Sequence, residues 1–284
     1  SGKGGTGKTS VVASFAVLAD KPVLVDCDVD AADLHLVLSP NTKQKHDFIG
    51  AKSAEIKSSR CTSCGKCIEL CRFDAIQKTD ASYEIDPIAC EGCGVCAWFC
   101  PEQAISFKDK VNGQWYLSDT RYGPMVHAKL GIAEENSGKL VTLLRNETKK
   151  LAAENGNSYI IVDGSPGIGC PVIASIGGAD LVLIVSEPTL SGEHDLERVA
   201  KLTDHFKVPS ILCINKYDIN QNMTSRIEKK AAALGLSLAG NIRYDKMVTK
   251  SQIAEAAVVE YLNLPVSEDI KNVWKKVVEK INLS

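Results

Sequence analysis

The sequence predicts an α/β fold: a doubly wound, mostly parallel sheet interrupted by a smaller α+β insert. Three observations carry this expectation. Four short runs, Val23 to Val25, Ile160 to Val162, Leu181 to Val185 and Ile211 to Ile214, are rich in Val, Ile and Leu, as strands buried on both faces must be. Between the last two, Leu196, Val199, Leu202 and Phe206 recur at helical spacing from Gly192 to Phe206, and strands alternating with helices build a doubly wound sheet. From about Thr42 to about Val126 the alternation gives way to Cys, Gly, Ser and Lys. Residues 1–41 and 126–284 are therefore expected to form one domain and 42–125 an insert, with its core at about 55–108.

At 284 residues the chain has room for one large domain and a small one. A formal net charge of -2 gives no basic face of the kind that holds nucleic acid, so no nucleic-acid partner is expected. No apolar run approaches the roughly 18 residues that cross a bilayer, and no leader pattern precedes the first motif. The expectation is a cytoplasmic protein with no membrane partner. Of the 11 cysteines, only Cys27, Cys170 and Cys213 lie outside the stretch from Cys61 to Cys100, a clustering that reads as metal ligation in a reducing compartment rather than as disulfides.

Gly2-Lys3-Gly4-Gly5-Thr6-Gly7-Lys8-Thr9 matches G-x-x-x-x-G-K-[ST] in full. In such a loop the glycines turn backbone N–H groups inward around phosphate oxygens. Lys8 neutralises the outer phosphates, and the Thr9 hydroxyl faces a magnesium ion. Ser10 to Ala19 reads as the helix whose N-terminus points at those phosphates, with Ser10 at its start among the nucleotide-binding residues. The loop needs a strand in front of it, so a short strand is expected before Ser1.

Lys3, the first lysine of Lys3-Gly4-Gly5-Thr6-Gly7-Lys8, marks a departure from the plain loop. The run resembles the deviant Walker A loop of the MinD, ParA and Mrp family, which includes the nitrogenase iron protein. That resemblance implies an ATPase in which Lys3 reaches the partner's phosphates across a nucleotide-sandwich dimer, much as an arginine finger acts in trans. It further implies that Asp28, in Asp26-Cys27-Asp28, orients the attacking water, whereas Asp26 and Asp30 read equally as capping or solvated acids. In Asp163-Gly164-Ser165-Pro166-Gly167, Asp163 would serve magnesium through water and Gly167 would sense the γ-phosphate through its N–H. Asn215 of Asn215-Lys216 would read adenine, though a strand-end Asn is also an ordinary helix cap. The implied oligomer is a nucleotide-dependent homodimer or paralogue heterodimer.

Cys61-x2-Cys64-x2-Cys67-x3-Cys71 is followed by Cys90-x2-Cys93-x2-Cys96-x3-Cys100-Pro101. This tandem spacing is that of bacterial-type ferredoxins, in which three close thiolates hold one 4Fe-4S cluster and the fourth reaches the other. It assigns Cys61, Cys64, Cys67 and Cys100 to one cluster, and Cys71, Cys90, Cys93 and Cys96 to the second. Zinc, the alternative for paired C-x2-C motifs, accounts less well for the x3-Cys step and Pro101. The two runs repeat at 29 residues, Cys61 to Cys90, with Ile76 and Ile105 at matching places as residues that shield the clusters. Arg72 stands where a proline commonly follows the fourth cysteine.

The combination is similar to MinD-superfamily ATPases that carry an inserted ferredoxin. The likeness extends to Gly123–Ala128, Glu134–Val141 and Ser186–Thr189, while Ile242-Arg243-Tyr244-Asp245 departs from the Ile-Pro-Tyr-Asp common in that group. It implies ATP, Mg2+ and two 4Fe-4S clusters as cofactors and a redox or metallocofactor client as partner. The function it implies couples nucleotide-driven dimer switching to electron relay in metallocofactor or Fe-S assembly. A second reading is an ATP-gated electron donor to a redox enzyme, similar to the nitrogenase iron protein. A third, a positioning ATPase with purely structural clusters, lacks the basic amphipathic tail or patch it would need.

Cys170, seven residues beyond Asp163, has two readings: a reduced thiol near a dimer interface, or a ligand to a metal shared by two protomers. His35, His127 and His194 read as structural or surface residues. The helix after Ser267, with Ile270, Val273, Trp274, Val277 and Ile281 on one face, reads as a terminal helix packed on the sheet.

Overall fold

Pro22–Asp26 is buried at every position, as a strand with both faces covered must be, and Val23, Leu24 and Val25 are fully inaccessible. Each such side chain contributes roughly 1.5–3 kcal/mol relative to exposure. The computed structural model describes residues 5–80, 82–131, 137–261 and 263–283.

In chain order the elements begin with α1 (Lys8–Leu18), β1 (Pro22–Asp26), α2 (Leu34–Leu38) and β2 (Asn41–Ile56). Next come α3 (Lys66–Leu70), β3 (Ile76–Lys78), β4 (Tyr83–Ile85), α4 (Val95–Trp98), β5 (Ile105–Asp119) and β6 (Pro124–Leu130). Then follow α5 (Ser137–Asn155), β7 (Tyr159–Asp163), α6 (Cys170–Ile176), β8 (Val182–Ser186), α7 (Leu190–His205) and β9 (Ser210–Asn215). The chain closes with α8 (Gln221–Ala233), β10 (Ser237–Ile242), α9 (Met247–Ile253), α10 (Val258–Tyr261) and α11 (Pro265–Ile281).

The chain divides into two compact units: residues 1–45, 115–129 and 137–284 form the larger, and 46–114 with 130–136 the smaller. The divisions in β2 and β5 fall four residues inside the start and eleven inside the end of the 42–125 interval, and 130–136 join the smaller unit. In the larger unit the expected single sheet is two ladders. One has the order β2-β5-β6-β1-β7, with β1 parallel to both β6 and β7; the other is β10-β9-β8, parallel throughout. Tyr159–Asp163 and Leu181–Val185 do not pair with each other. They line opposite sides of a cavity of about 360 Å³ whose walls include Val11, Val12, Phe15 and Trp274. Both β7 and β8 thus contribute to one cavity, whose lining also includes Lys8, Arg145, Asp163 and Asp180.

Two sequence expectations shift at element ends. The helix expected from Ser10 starts at Lys8, because Gly7 takes the left-handed conformation (φ 87°) that ends the loop there. Phe206, assigned to the buried face of α7, is that helix's C-cap and is exposed, while Leu196 and Val199 do form its buried stripe. The terminal helix packs as expected: Val273 and Val277 are buried, and the Trp274 ring meets Phe15 at a tilt (ring centroids 4.8 Å) and Tyr159 edge-on (5.5 Å). No helix among the described residues is long and apolar enough to cross a membrane.

His127 is held structurally: its Nε2 lies 2.9 Å from Ser118 Oγ, its ring stacks on Tyr116, and burial pushes its pKa down to about 4. Trp274 joins three elements, so Trp274→Ala is expected to cost about 2–4 kcal/mol in chemical denaturation, near the lower part of the range for aromatic truncation. An effect below about 0.5 kcal/mol would show that α11 does not fasten the core.

Candidate functional site

Most predicted nucleotide residues meet at one open cavity. Gly5, Gly7, Lys8, Thr9, Ser10, Asp28 and Asn215 line a space of about 620 Å³, within the range of small-molecule sites. Thr6 is buried behind the loop, and Asp163 lies with Lys8 on the adjoining cavity beneath it. Gly167, in the loop after β7, holds φ 86°. Lys3 and Gly4, like Gly2 before them and Glu134, Glu135 and Asn136 of the rejoining segment, lie outside the described residues.

The loop is pinned from the far ladder. Asn215 Nδ2 donates to the Thr6 carbonyl at 2.8 Å, and Lys216 Nζ reaches the Gly5 carbonyl at 3.1 Å and Glu187 at 3.2 Å. A Cβ at Gly7 would stand 2.4 Å from Asn215 Nδ2 and would strain a positive φ, so only glycine fits between loop and clamp. No side-chain hydrogen bond caps α1, whereas Thr189 caps α7 (2.9 Å) and Asn220 caps α8 (3.0 Å). The capped helices satisfy their first-turn amides internally; α1 presents its N-terminus to the loop, the arrangement that suits an anion.

The acids come from neighbouring strand ends. The parallel register of β1 and β7 sets Asp26 opposite Asp163, and both are buried. Asp26 is occupied structurally: Oδ1 accepts from Asp28 N–H (3.0 Å) and Oδ2 from Leu34 N–H (3.3 Å), which shapes the turn that carries Asp28. Burial, with the Asp163 carboxylate nearby, holds the Asp26 carboxyl well above its usual range. Asp28 is half-buried and lines the nucleotide cavity; burial raises its pKa while Lys8 opposes the rise.

Neither oxygen of Asp163 has a hydrogen-bond partner among the described residues. Burial pushes its pKa up to about 6, with the Thr9 hydroxyl and Lys8 drawing it back down. A buried carboxylate with the Thr9 hydroxyl and Lys8 beside it is a surrounding that can hold a magnesium ion.

Sequence reasoning missed the residues that close the cavity opposite the loop. Gln252 Nε2 donates to Ser10 Oγ at 2.9 Å. The Arg243 guanidinium forks onto Asp269 of α11 at 2.6 and 2.9 Å, and its backbone N–H adds a third bond to the same carboxylate at 3.1 Å. A proline at 243 would supply neither the fork nor the N–H, so the departure from Ile-Pro-Tyr-Asp creates a new tie. Its only sequence signal was a charge where proline was expected.

In the smaller unit the eight clustered cysteines divide between two cavities. Cys61, Cys64, Cys67 and Cys100 line one; Cys71, Cys90, Cys93 and Cys96 line the other. Among the described residues no group of three or more His, Cys, Asp or Glu side chains is placed to hold a single metal ion. The sequence repeat is also a backbone repeat. Gly65 and Gly94 open α3 and α4 at φ 82° and 86°, Ser63 and Gly92 are left-handed at 55° and 64°, and Asp74 and Gln103 at 51° and 47°. Ile76 and Ile105 line the second and first cavity respectively.

The thiols are not alike. Hydrogen bonds from Ser82 and Ser63 hold Cys61 below its usual pKa, while burial raises Cys67 and lifts Cys96 to about 11. Of the remaining cysteines, Cys27 and Cys213 are buried core residues; Cys170 is exposed at the start of α6, its Cβ against Gly138.

Residues 1–258 match the family model described as the CobQ/CobB/MinD/ParA nucleotide binding domain. The chain is 34% identical to the uncharacterized protein MJ0578 of Methanocaldococcus jannaschii, over 99% of this chain and 95% of that protein. In fold it is similar to the cell division ATPase MinD of Pyrococcus furiosus (TM-score 0.58, 16% identity, 98% of this chain and 96% of that one). It is also similar to the septum site-determining protein MinD of Pyrococcus horikoshii, solved with Mg-ADP (TM-score 0.59, 16% identity, 98% and 93%).

The folded pKa of Asp163 lies above the ordinary 3.8, so the folded state disfavours its ionisation and stability falls as pH rises from 3.8 to about 6. Asp163→Asn is expected to raise the nucleotide-free Tm at pH 7 by on the order of 4 °C and to flatten that fall. A thermal melt series from pH 4 to pH 7 that superimposes on the parent's would refute the assignment of Asp163 as a buried, uncompensated acid.

Proposed function

The chain belongs to the CobQ/CobB/MinD/ParA nucleotide-binding family, and from that premise we propose that it is an ATP-hydrolysing switch carrying two 4Fe-4S clusters. In this reading nucleotide-driven dimer switching governs electron relay to a client protein in metallocofactor or Fe-S assembly. The observation that carries it is the pairing, in one chain, of a clamped phosphate loop with eight cysteines divided four and four between two cavities.

At the nucleotide site, backbone amides from Gly5 to Thr9 cradle the phosphates and Lys8 neutralises their outer oxygens. Thr9 and Asp163 would hold magnesium, which would supply charge stabilisation to the phosphate being transferred. Asp28, half-buried beside Lys8, positions the attacking water and takes up its proton as the bond to phosphorus forms. Asn215 serves double duty: its amide braces Thr6, and its place on the cavity wall suits it to the adenine edge. Lys3 from the partner completes the charge balance across a dimer. The Pyrococcus horikoshii MinD solved with Mg-ADP supports this ligand choice.

The smaller unit is read as an inserted ferredoxin, with Cys61, Cys64, Cys67 and Cys100 on one cluster and Cys71, Cys90, Cys93 and Cys96 on the other. The clusters supply one-electron storage. The crossed pattern of the fourth cysteines supports this reading, since each of Cys71 and Cys100 joins the cavity of the opposite run. Four cysteines on each side leave no ligand position vacant, which favours relay over cluster donation. Cys64 and Cys93 are exposed, giving each cavity an edge that a redox partner can approach.

Anaerobically purified protein is expected to contain about eight iron and eight sulfide per chain, as two Fe4S4 clusters require. It should hydrolyse ATP with a rate that falls at least a hundredfold in Lys8→Ala while the iron content stays unchanged. Iron-free folded protein, or zinc in place of iron, would remove the cluster reading; ATPase activity unaffected by Lys8→Ala would remove the other half.

A further inference from the structure

The 29-residue repeat allows the two cysteine cavities to be compared position by position, and they differ at several places in their lining. At Cys61 the Ser63 N–H donates to the sulfur at 3.4 Å. The equivalent of Ser63 beside Cys90 is Gly92. Its Cβ position is closed by the Lys52 carbonyl at 2.1 Å, so no hydroxyl-bearing side chain fits there. Lys66 lines the first cavity where its equivalent, Val95, lines the second. Thr62 is matched by Glu91, and Glu102 by Phe73.

The first cavity thus has Thr62, Tyr83, Lys66 and Glu102 as its polar lining. The second is walled by Leu70, Phe73, Val95 and Phe107, with Glu91 as its charged member. Arg72, next to Cys71, is exposed, as are Lys66, Glu91 and Glu102, so water screens all four charges. Other positions are shared: Ile56 and Ile85, and Gly65 and Gly94, line the two cavities at the 29-residue offset. The asymmetry is therefore confined to the named substitutions.

Reduction adds negative charge to a cluster. Hydrogen bonds to ligand sulfurs and nearby positive charge stabilise that added charge, while apolar walls and a carboxylate disfavour it. We infer that the smaller unit is a directional electron relay, in which the site of Cys61, Cys64, Cys67 and Cys100 holds the electron and that of Cys71, Cys90, Cys93 and Cys96 passes it on. This rests on the reading of the eight cysteines as ligands of two 4Fe-4S clusters. The step is a single-electron transfer: a low-potential one-electron donor reduces the second site, which is then reoxidised as the first is reduced. No bond is made or broken and no proton moves.

The test is a potentiometric EPR titration of the whole anaerobic protein, reduced stepwise with dithionite, after iron and sulfide have been measured. Two resolved one-electron steps are expected, with at least a tenfold preference for one site, a separation of 59 mV or more. Ser63→Gly with Lys66→Val, which copies the second site's residues into the first, should move the upper step down and leave the lower in place. Val95→Lys should move the lower step up. Full iron and sulfide with both sites titrating together overturns the inference while leaving the cluster reading intact, and so does a shift of the lower step in the double variant. Protein without iron overturns both. Each variant's iron and sulfide content shows whether its sites are filled, and Val95→Lys remains a test if the double variant loses its clusters.

Discussion

The parallel register between β1 and β7 is the constraint on which the nucleotide site depends. It sets Asp26 directly across from Asp163 at the ends of two buried strands, where burial raises both carboxyls. One acid resolves its cost by accepting two backbone N–H groups and shaping the turn to Asp28. The other accepts no backbone N–H among the described residues and has the Thr9 hydroxyl and Lys8 to offset its burial. A shift of one residue in this register would turn these side chains to the opposite face of the sheet and separate them from Lys8.

The same logic of paired positions with unequal surroundings governs the smaller unit. A duplicated backbone, visible in the matched left-handed residues Ser63 and Gly92, Gly65 and Gly94, Asp74 and Gln103, builds two cysteine cavities of one shape. The residues between the cysteines then make them chemically different. Duplication supplies the geometry, and divergence at Ser63, Lys66 and Glu102 supplies the polarity. A nucleotide switch coupled to two identical sites would have no preferred direction of electron flow; one coupled to unlike sites does.

What the sequence made legible follows from which forces write themselves locally. Strands buried on both faces are continuous apolar runs, so β1, β7, β8 and β9 were placed within a residue or so. The phosphate loop and the cysteine spacings are short-range patterns, and the residues they named lie together. The long strands β2 and β5 were hidden because β2 is a sheet edge, polar along most of its length, with Lys43 and Lys45 of the kind that blunt an edge and no alternation to read. The separation of the sheet at β7 and β8 depends on what lies between two edges, which no window of sequence contains. The Arg243–Asp269 fork and the Lys216 clamp join residues 26 and 211 positions apart, beyond any local pattern.

The central claim is that a nucleotide bound at the Lys8 loop governs the redox behaviour of the cysteine sites in the same chain. EPR-monitored midpoint potentials of the dithionite-reduced protein, measured with and without MgATP in the parent and in Lys8→Ala, test this most directly. The account expects MgATP to displace the potentials in the parent and to leave them unmoved in the variant. Potentials that stay the same in the parent, with and without nucleotide at saturating concentration, would contradict it.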